Sequence, residues 1–193
     1  EHLEYYSTKV ILNLCKKNNL RIFDIKKNDI NGASKQYFIS HINSKYKVNN
    51  TKIRKFLREE IKLQLLNVKT YKKFMKTINE SKKKLMKKLE SLNKQGKKIH
   101  CYGASTKGNV LLQYYGINNK IIKYVAERNS SKYNLYTPGT KIKIISEKLS
   151  RSLKPDFYLV LPWHFKREIL MRESSIRKKG VKFIFPLPKL KII

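Results

Sequence analysis

Hydrophobic residues recur at spacings of three and four in three stretches of the chain, and this pattern predicts three amphipathic helices. The first covers residues 3–19. The second begins near Thr51, whose hydroxyl can cap a helix start, and the third runs from Val68 to Gly96. The other face of the third helix is full of lysines, which is typical of a solvated helix face.

Alternating apolar and polar residues predict a pair of strands between the first two helices. The first strand covers residues 20–25, a turn-rich break follows at 31–34, and the second strand covers residues 37–39. A helix followed by such a hairpin is typical of the end of an α/β sheet. Residues 43–50 are polar and predict a loop.

From residue 97 onward, short apolar strands alternate with helices, which predicts a parallel sheet with right-handed crossovers. The predicted strands are 98–102, 121–125, 155–161 and 181–185, and the predicted helices are 109–115 and 165–179. The predicted fold class is therefore α/β, with a Rossmann-like parallel-sheet domain after the helix and hairpin.

Charge suggests an anionic partner but does not identify it. Lysine and arginine number 45 among 193 residues, aspartate and glutamate 13, and the net charge is +32. Such an excess attracts nucleic acid by counterion release. Only eight of the 45 are arginines, however, and arginine is the side chain that suits phosphates and bases best. We therefore favour small polyanions such as nucleotide diphosphates and keep nucleic-acid binding as the alternative.

Several classes of protein are disfavoured by the sequence. No run approaches the roughly 20 apolar residues of a membrane span, and the first residues do not form a signal peptide. Cys15 and Cys101 match no metal-ligand or disulfide spacing, so we expect no metal site in these residues and a reducing, cytoplasmic location.

Small residues between the predicted strand 98–102 and the next helix form the first candidate site. Ser105 and Lys107 lie in this turn, where a helix N-terminus offers N–H groups to an anion and the lysine adds a charge. The turn is neither a dinucleotide-binding loop nor a Walker A loop, so a plain β–α turn is an equal alternative.

Two further candidate sites also follow strands. Arg128 can pair with a phosphate and Asn129 follows it, although Glu127 before them allows a plain surface ion pair. Trp163 can stack on a base and His164 can bond a phosphate or hydroxyl. The alternative for this last pair is burial of the tryptophan with the histidine as a helix cap.

The first two residues, Glu1 and His2, place a carboxylate beside an imidazole. A histidine at a helix start, with a carboxylate and phenols nearby, can act as a general base. Taken alone, chance is the better account of this pair.

Seven motifs occur in the order of one known family. They are EHLEYYS at 1–7, NGAS at 31–34, YGASTKGN at 102–109, ERNSSK at 127–132, TPGT at 137–140, PDFYLVLPWHF at 155–165 and PLP at 186–188. The chain resembles the C-terminal part of S-adenosylmethionine-dependent nucleotide-sugar C-methyltransferases over nearly its whole length. One departure is Asn134 with Leu135, where the family pattern leads us to expect a glycine.

The resemblance implies that the chain consists of three parts. It makes residues 1–42 the C-terminal remnant, a helix and β-hairpin, of a class I methyltransferase domain that binds the methyl donor. Residues 43–96 become a helical connector and residues 97–193 a Rossmann-like C-terminal domain. The family's zinc-binding cysteines and glycine-rich donor loop do not occur in these residues. We therefore expect a fragment, in which S-adenosylmethionine and zinc would be bound mainly by residues outside the chain.

The resemblance also implies the reaction. The intact enzyme would transfer a methyl group to a carbon of a nucleotide-linked keto-deoxysugar, with Glu1 and His2 removing the proton beside the carbonyl. Substrate-binding residues implied by the matched motifs are Ser105, Lys107, Arg128, Asn129, Trp163 and His164. The fragment alone is expected to be inactive. A nucleotide-binding module without catalysis is a further alternative.

Overall fold

The computed structural model describes residues 4–29 and 33–193. The chain divides into two compact units, residues 1–76 and 77–193. The three-part division expected from the resemblance, with boundaries after residues 42 and 96, stays a prediction. No helix among the described residues combines the length and the apolar character needed to cross a membrane.

The first unit contains an antiparallel hairpin and helices. Helix α1 is Thr8–Lys17, strand β1 is Leu20–Asn28, β2 is Ser34–His41, and α2 is Asn50–Lys62. The predicted hairpin is confirmed and both strands are longer than predicted. Neither helix begins where predicted, because Ser7 caps α1 and Asn49 caps α2 through their side chains.

A small core holds this unit together. It consists of Cys15, Ile22, Ile25, Ile53 and Phe56. Many other apolar side chains of the unit are exposed, including Tyr5 at 87%, Ile61 at 73% and Leu66 at 82%. The unit therefore buries one compact patch and leaves a large apolar surface uncovered.

The second unit is built on a six-stranded sheet. Its strands are β3 Ile99–Tyr102, β4 Tyr124–Glu127, β5 Lys143–Ser146, β6 Phe157–Val160, β7 Lys182–Phe185 and β8 Lys191–Ile192. Their order is β5-β4-β3-β6-β7-β8, and all neighbours are parallel except β7 and β8. The order reverses between β3 and β6, as in a Rossmann-like fold. The predicted fold class is confirmed.

Helices cover both faces of this sheet. They are α3 Val68–Lys94, of which residues 77–94 belong to this unit, α4 Thr106–Tyr115, α5 Glu147–Ser152, α6 Lys166–Arg172 and α7 Ser174–Lys178. The single helix predicted at 165–179 is wrong, because a 3₁₀ turn at 163–165 precedes α6 and a break at Glu173 separates α6 from α7.

Two hydrophobic clusters lie on the two faces, because side chains alternate along each strand. Cys101 and Leu159 face the cluster formed with α3 and α4, whereas Tyr102 and Tyr158 face the cluster formed with α6 and α7. Asn134 adopts a φ of +64°, a left-handed conformation that glycine favours and asparagine tolerates, so the departure from the family pattern keeps the backbone shape.

Candidate functional site

Three of the predicted site segments meet at the carboxyl ends of β3, β4 and β6. These are the ends at which ligands bind in open α/β sheets, next to the point where the strand order reverses. A cavity of about 370 Å³ opens there. It is lined by residues after β3, after β4, at the start of α5 and along the segment from β6 into α6.

The loop after β3 packs tightly against the end of β6. Gly103 has a φ of +79°, and a Cβ there would lie 2.9 Å from Pro162. A Cβ on Gly108 would lie 2.5 Å from that of Leu161. Ser105 lines the cavity and caps α4, since its Oγ accepts a hydrogen bond from the Gly108 N–H at 3.0 Å. Glycine is therefore required at both positions to bring the first turn of α4 against the neighbouring strand.

Glu127, at the end of β4, holds the neighbouring loops together. Its carboxylate accepts hydrogen bonds from the backbone N–H groups of Ala104 at 2.6 Å, Arg128 at 2.8 Å and Asn129 at 2.9 Å. The surface ion pair considered as its plain alternative is absent among the described residues. Lys132 adds a second link, because its Nζ donates to the Ala104 carbonyl at 3.0 Å.

Two cations in the cavity form no salt bridge among the described residues, although the charge of Arg128 acts on Glu147 at longer range. Arg128 and Lys132 both line the cavity, and neither forms a salt bridge there. Asn129 lies beside them but does not line the cavity. Its side chain accepts hydrogen bonds from the backbone N–H and the hydroxyl of Ser131, at 3.1 and 2.9 Å. The cavity can therefore attract an anion at its β4 side.

Trp163 and His164 lie at the same edge of the sheet but outside the lining of the cavity. Trp163 is partly buried, packs against both hydrophobic clusters and does not line the cavity. His164 gives α6 no side-chain cap, so its alternative role as a helix cap is wrong. Its Nδ1 is buried without a hydrogen-bond partner among the described residues. Burial and then the charge of Lys107 lower the pKa of His164, which keeps the imidazole neutral.

Beneath the cavity lies an ionic network that the sequence analysis missed. Glu173, only 2% exposed, accepts hydrogen bonds from the Tyr102 hydroxyl at 2.7 Å and from Arg151 and Arg172 at 3.0 Å. Arg172 also pairs with Glu147. Burial, and after it the charge of Glu173, raises the pKa of Glu147, while Arg151 and Arg128 oppose this rise.

A signal for this network was present in the sequence. Glu173 lies four residues after Ile169 and three before Ile176, so it continues the apolar face of the predicted helix. An acidic residue at such a position, in a chain with 13 acids and 45 basic residues, indicates a buried ion pair.

The six predicted substrate-binding residues therefore fall into two groups. Ser105 and Arg128 line the cavity, whereas Lys107, Asn129, Trp163 and His164 lie at the same edge of the sheet outside its lining. The predicted catalytic pair, Glu1 and His2, lies outside the described residues. Within residues 4–29 and 33–193, no group of three or more histidine, cysteine or acidic side chains is placed to hold a metal ion.

Comparison with known proteins agrees with this architecture. Residues 29–188 match the family described as C-methyltransferase C-terminal domain. The chain is also 27% identical over its 193 residues to the C-methyltransferase NovU of Streptomyces niveus. That alignment covers all of this chain and 46% of NovU, so the chain spans about half the length of this relative. The family match includes strands β3 to β7 and every loop around the cavity, and the chain belongs to the C-methyltransferase C-terminal domain family.

Proposed function

We propose that this chain is the nucleotide-sugar-binding part of a C-methyltransferase. The intact enzyme would transfer a methyl group from S-adenosylmethionine to a carbon of a nucleotide-linked keto-deoxysugar. The observation that carries the proposal is the cavity at the carboxyl edge of the sheet, where Arg128 and Lys132 form no salt bridge among the described residues. We also propose a cytoplasmic location, since the free thiols of Cys15 and Cys101 suit a reducing compartment.

The electrostatics of the cavity suit a diphosphate. Charge-assisted hydrogen bonds from arginine and lysine to phosphate oxygens are about twice as strong as neutral ones. Arg172 contributes less, because Glu147 and Glu173 already neutralise its charge. Arg128 is therefore the guanidinium best placed to bind a phosphate in a bidentate manner.

Catalysis needs a base beside the substrate carbonyl. In this proposal His2, oriented by Glu1, removes the proton from the carbon next to the ketone and leaves an enolate. S-adenosylmethionine supplies the electrophilic methyl group that this carbon attacks. The described residues contain no metal-ligand cluster, and the chain contains no glycine-rich donor loop. Binding of the methyl donor and of zinc is therefore assigned to residues outside this chain, and we expect no methyl transfer by these 193 residues alone.

The binding step can be tested directly by calorimetry with thymidine diphosphate. We expect the Arg128→Ala substitution to weaken binding by roughly tenfold or more, because a hydrogen bond to a charged group contributes about 1.5–3 kcal/mol. Arg167→Ala removes the same charge from an exposed position outside the cavity, and its effect should be small. Equal losses in the two variants would show that net charge, rather than the cavity, binds the ligand.

The nucleic-acid alternative makes a different prediction. Its support is the net charge of +32, which is spread over the chain. It predicts tight RNA binding that falls steeply with salt, no competition by thymidine diphosphate, and no special effect of Arg128→Ala. Our proposal predicts that thymidine diphosphate binds and that its affinity depends on the cavity. A binding module without catalysis would bind the ligand but transfer no methyl group when joined to a donor-binding half.

A further inference from the structure

The cavity at the carboxyl edge has two chemically different sides. Arg128 and Lys132, which follow β4, provide the cationic side. Pro162, Phe165 and Ile169, which lie between the end of β6 and the middle of α6, provide an apolar side. A ligand that fits both sides carries an anionic group and a separate flat or apolar group.

Phe165 is the aromatic side chain that lies open to this cavity. Its side chain is 46% exposed, whereas the neighbouring Trp163 is packed against the two hydrophobic clusters. Exposure of a large ring in a polar cavity costs free energy unless a ligand covers it, and a phenyl face is a suitable surface for stacking a planar ring. The stacking position therefore moves from Trp163, where the sequence predicted it, to Phe165.

Glu168 provides a hydrogen-bond acceptor beside this ring. It lies three residues after Phe165, on the same side of the segment, and both line the cavity. Two other carboxylates of the cavity are engaged: Glu127 by backbone N–H groups and Glu147 by Arg151 and Arg172. No described residue forms a hydrogen bond or a salt bridge with Glu168, so its oxygens are available to a ligand.

We propose that Phe165 and Glu168 form the nucleobase subsite of the cavity, with the base stacked on Phe165 and a ring N–H of the base donated to Glu168. This inference rests on the proposed function. In that function the sugar is the reacting end and must reach a methyl donor held outside this unit. The base is the non-reacting end, and it is the part of the substrate that the unit's own cavity can enclose.

The chemistry of Glu168 makes the subsite selective. An ionised carboxylate only accepts hydrogen bonds. Uracil and thymine carry a ring N–H at the position where cytosine has an acceptor nitrogen. Cytosine can offer the carboxylate only its exocyclic amino group, which lies beside that ring position, so in the proposed geometry the subsite favours uridine or thymidine nucleotides over cytidine nucleotides. A glutamine at position 168 presents both a donor and an acceptor, so it should reduce this preference.

The test is calorimetric titration of the 193-residue chain with uridine diphosphate, thymidine diphosphate, cytidine diphosphate and inorganic pyrophosphate. We expect uridine and thymidine diphosphates to bind at least about tenfold more tightly than pyrophosphate, as stacking of one base contributes this much or more. Phe165→Ala should remove most of that advantage and leave the affinity for pyrophosphate unchanged. Phe165→Tyr keeps a ring and should keep the advantage.

Glu168→Gln should bring the affinities for uridine and cytidine diphosphates close together. Met171→Ala is the matched control, because Met171 is 60% exposed on α6 and does not line the cavity. This variant should leave every affinity unchanged. If a variant binds pyrophosphate with unchanged affinity, the cationic side of its cavity is still folded.

The outcomes separate this inference from the proposed function. If pyrophosphate binds as tightly as the nucleotides and binding still depends on Arg128, the cavity is an anion site and the nucleobase subsite is wrong. If Phe165→Ala weakens pyrophosphate as much as uridine diphosphate, Phe165 has a structural role and the subsite is again wrong. If neither nucleotides nor pyrophosphate bind, both the subsite and the proposed function are wrong.

Discussion

The two units of this chain bury their polar groups in different surroundings. The second unit has a sheet covered on both faces, and its ionic network is centred on Glu173 between two arginines and a tyrosine. The first unit has a two-stranded hairpin and one small core. Its main buried polar group is Glu60, which accepts hydrogen bonds from the Thr8 N–H at 2.6 Å and from Lys35 Nζ at 2.7 Å.

This difference also appears in the cavities of the two units. The first unit has a cavity of about 500 Å³ beside Glu60 with a largely apolar lining that includes Leu57 and Leu66, whereas the cavity of about 370 Å³ in the second unit presents Arg128 and Lys132 at the ends of fixed strands. In the first unit the ion pair has a mainly structural role, because it ties α2 to α1 and to β2 across the hairpin.

Replacing Glu173 should destabilise the second unit most. The Glu173→Gln substitution removes a buried negative charge that accepts hydrogen bonds from Arg151 and Arg172. A hydrogen bond to a charged group contributes about 1.5–3 kcal/mol, and both arginines are more than a third exposed and keep Glu147 as a partner, so we expect a cost of about 3–4 kcal/mol for the two bonds. Urea unfolding followed by the fluorescence of Trp163, the chain's single tryptophan, reports on this unit. Glu90→Gln is the control on an exposed helix position. A cost no greater than that of the control would show that the network does not stabilise the unit.

Urea unfolding followed by Trp163 fluorescence at a series of pH values should reveal the contribution of His100 to the stability of this unit. This histidine is 5% exposed, its Nδ1 lies 2.8 Å from the Ser150 hydroxyl, and burial together with the charge of Lys98 lowers its pKa to about 4. The unfolded histidine has a pKa near 6.5, so the unfolded state binds more protons between these values. Stability should therefore fall as the pH drops from about 6.5 to 4, by roughly 3 kcal/mol for this group.

The matched variants for this titration are His100→Gln and His41→Gln. His41 is exposed on the hairpin of the first unit. Loss of stability in acid should be smaller in His100→Gln than in the unsubstituted chain and unchanged in His41→Gln. The same acid slope in all three proteins would mean that His100 is charged in the folded state.

Much of the fold was predictable because the central strands are buried on both faces. Such strands are short, nearly continuous apolar runs, and β3, β6 and β7 were recognised from that pattern. Strands β5 and β8 were missed. They lie at the two edges of the sheet, and each forms by pairing with a single neighbouring strand, β5 with β4 and β8 with β7. This information is not local in the sequence.

Prediction of the site residues is limited in the same way, because their positions also depend on contacts that are not local in the sequence. Ser105 and Arg128 were predicted from their positions after strands, and both line the cavity. The proposed roles of Phe165 and Glu168 could not be deduced from the sequence, because which ring of the 163–165 turn is buried depends on packing against both faces of the sheet. Glu147 and Arg172 are 25 residues apart, so their pairing depends on how α5 and α6 pack.

The smallest effect is expected in the first unit, from Glu60→Gln. Glutamine can still accept the hydrogen bond from the Thr8 N–H, but it loses the charge that pairs with Lys35, which is 29% exposed and partly solvated. We expect a cost of about 1–2 kcal/mol at neutral pH. It is measured by amide hydrogen exchange in α1 and β2, because Trp163 does not report on this unit.

This cost should also depend on pH in a defined direction. Burial alone would raise the pKa of Glu60, but hydrogen bonds from Lys35 and Thr8 outweigh it and hold that pKa below its usual value. The stabilisation is therefore complete above the unfolded pKa of about 4.3 and is lost as the pH falls through the lower folded value. The difference between Glu60→Gln and the unsubstituted chain should shrink in acid, while the exposed neighbour Glu59→Gln shows no difference at either pH. A cost that stays constant down to pH values below the folded pKa would assign the effect of Glu60 to shape and packing rather than to its charge.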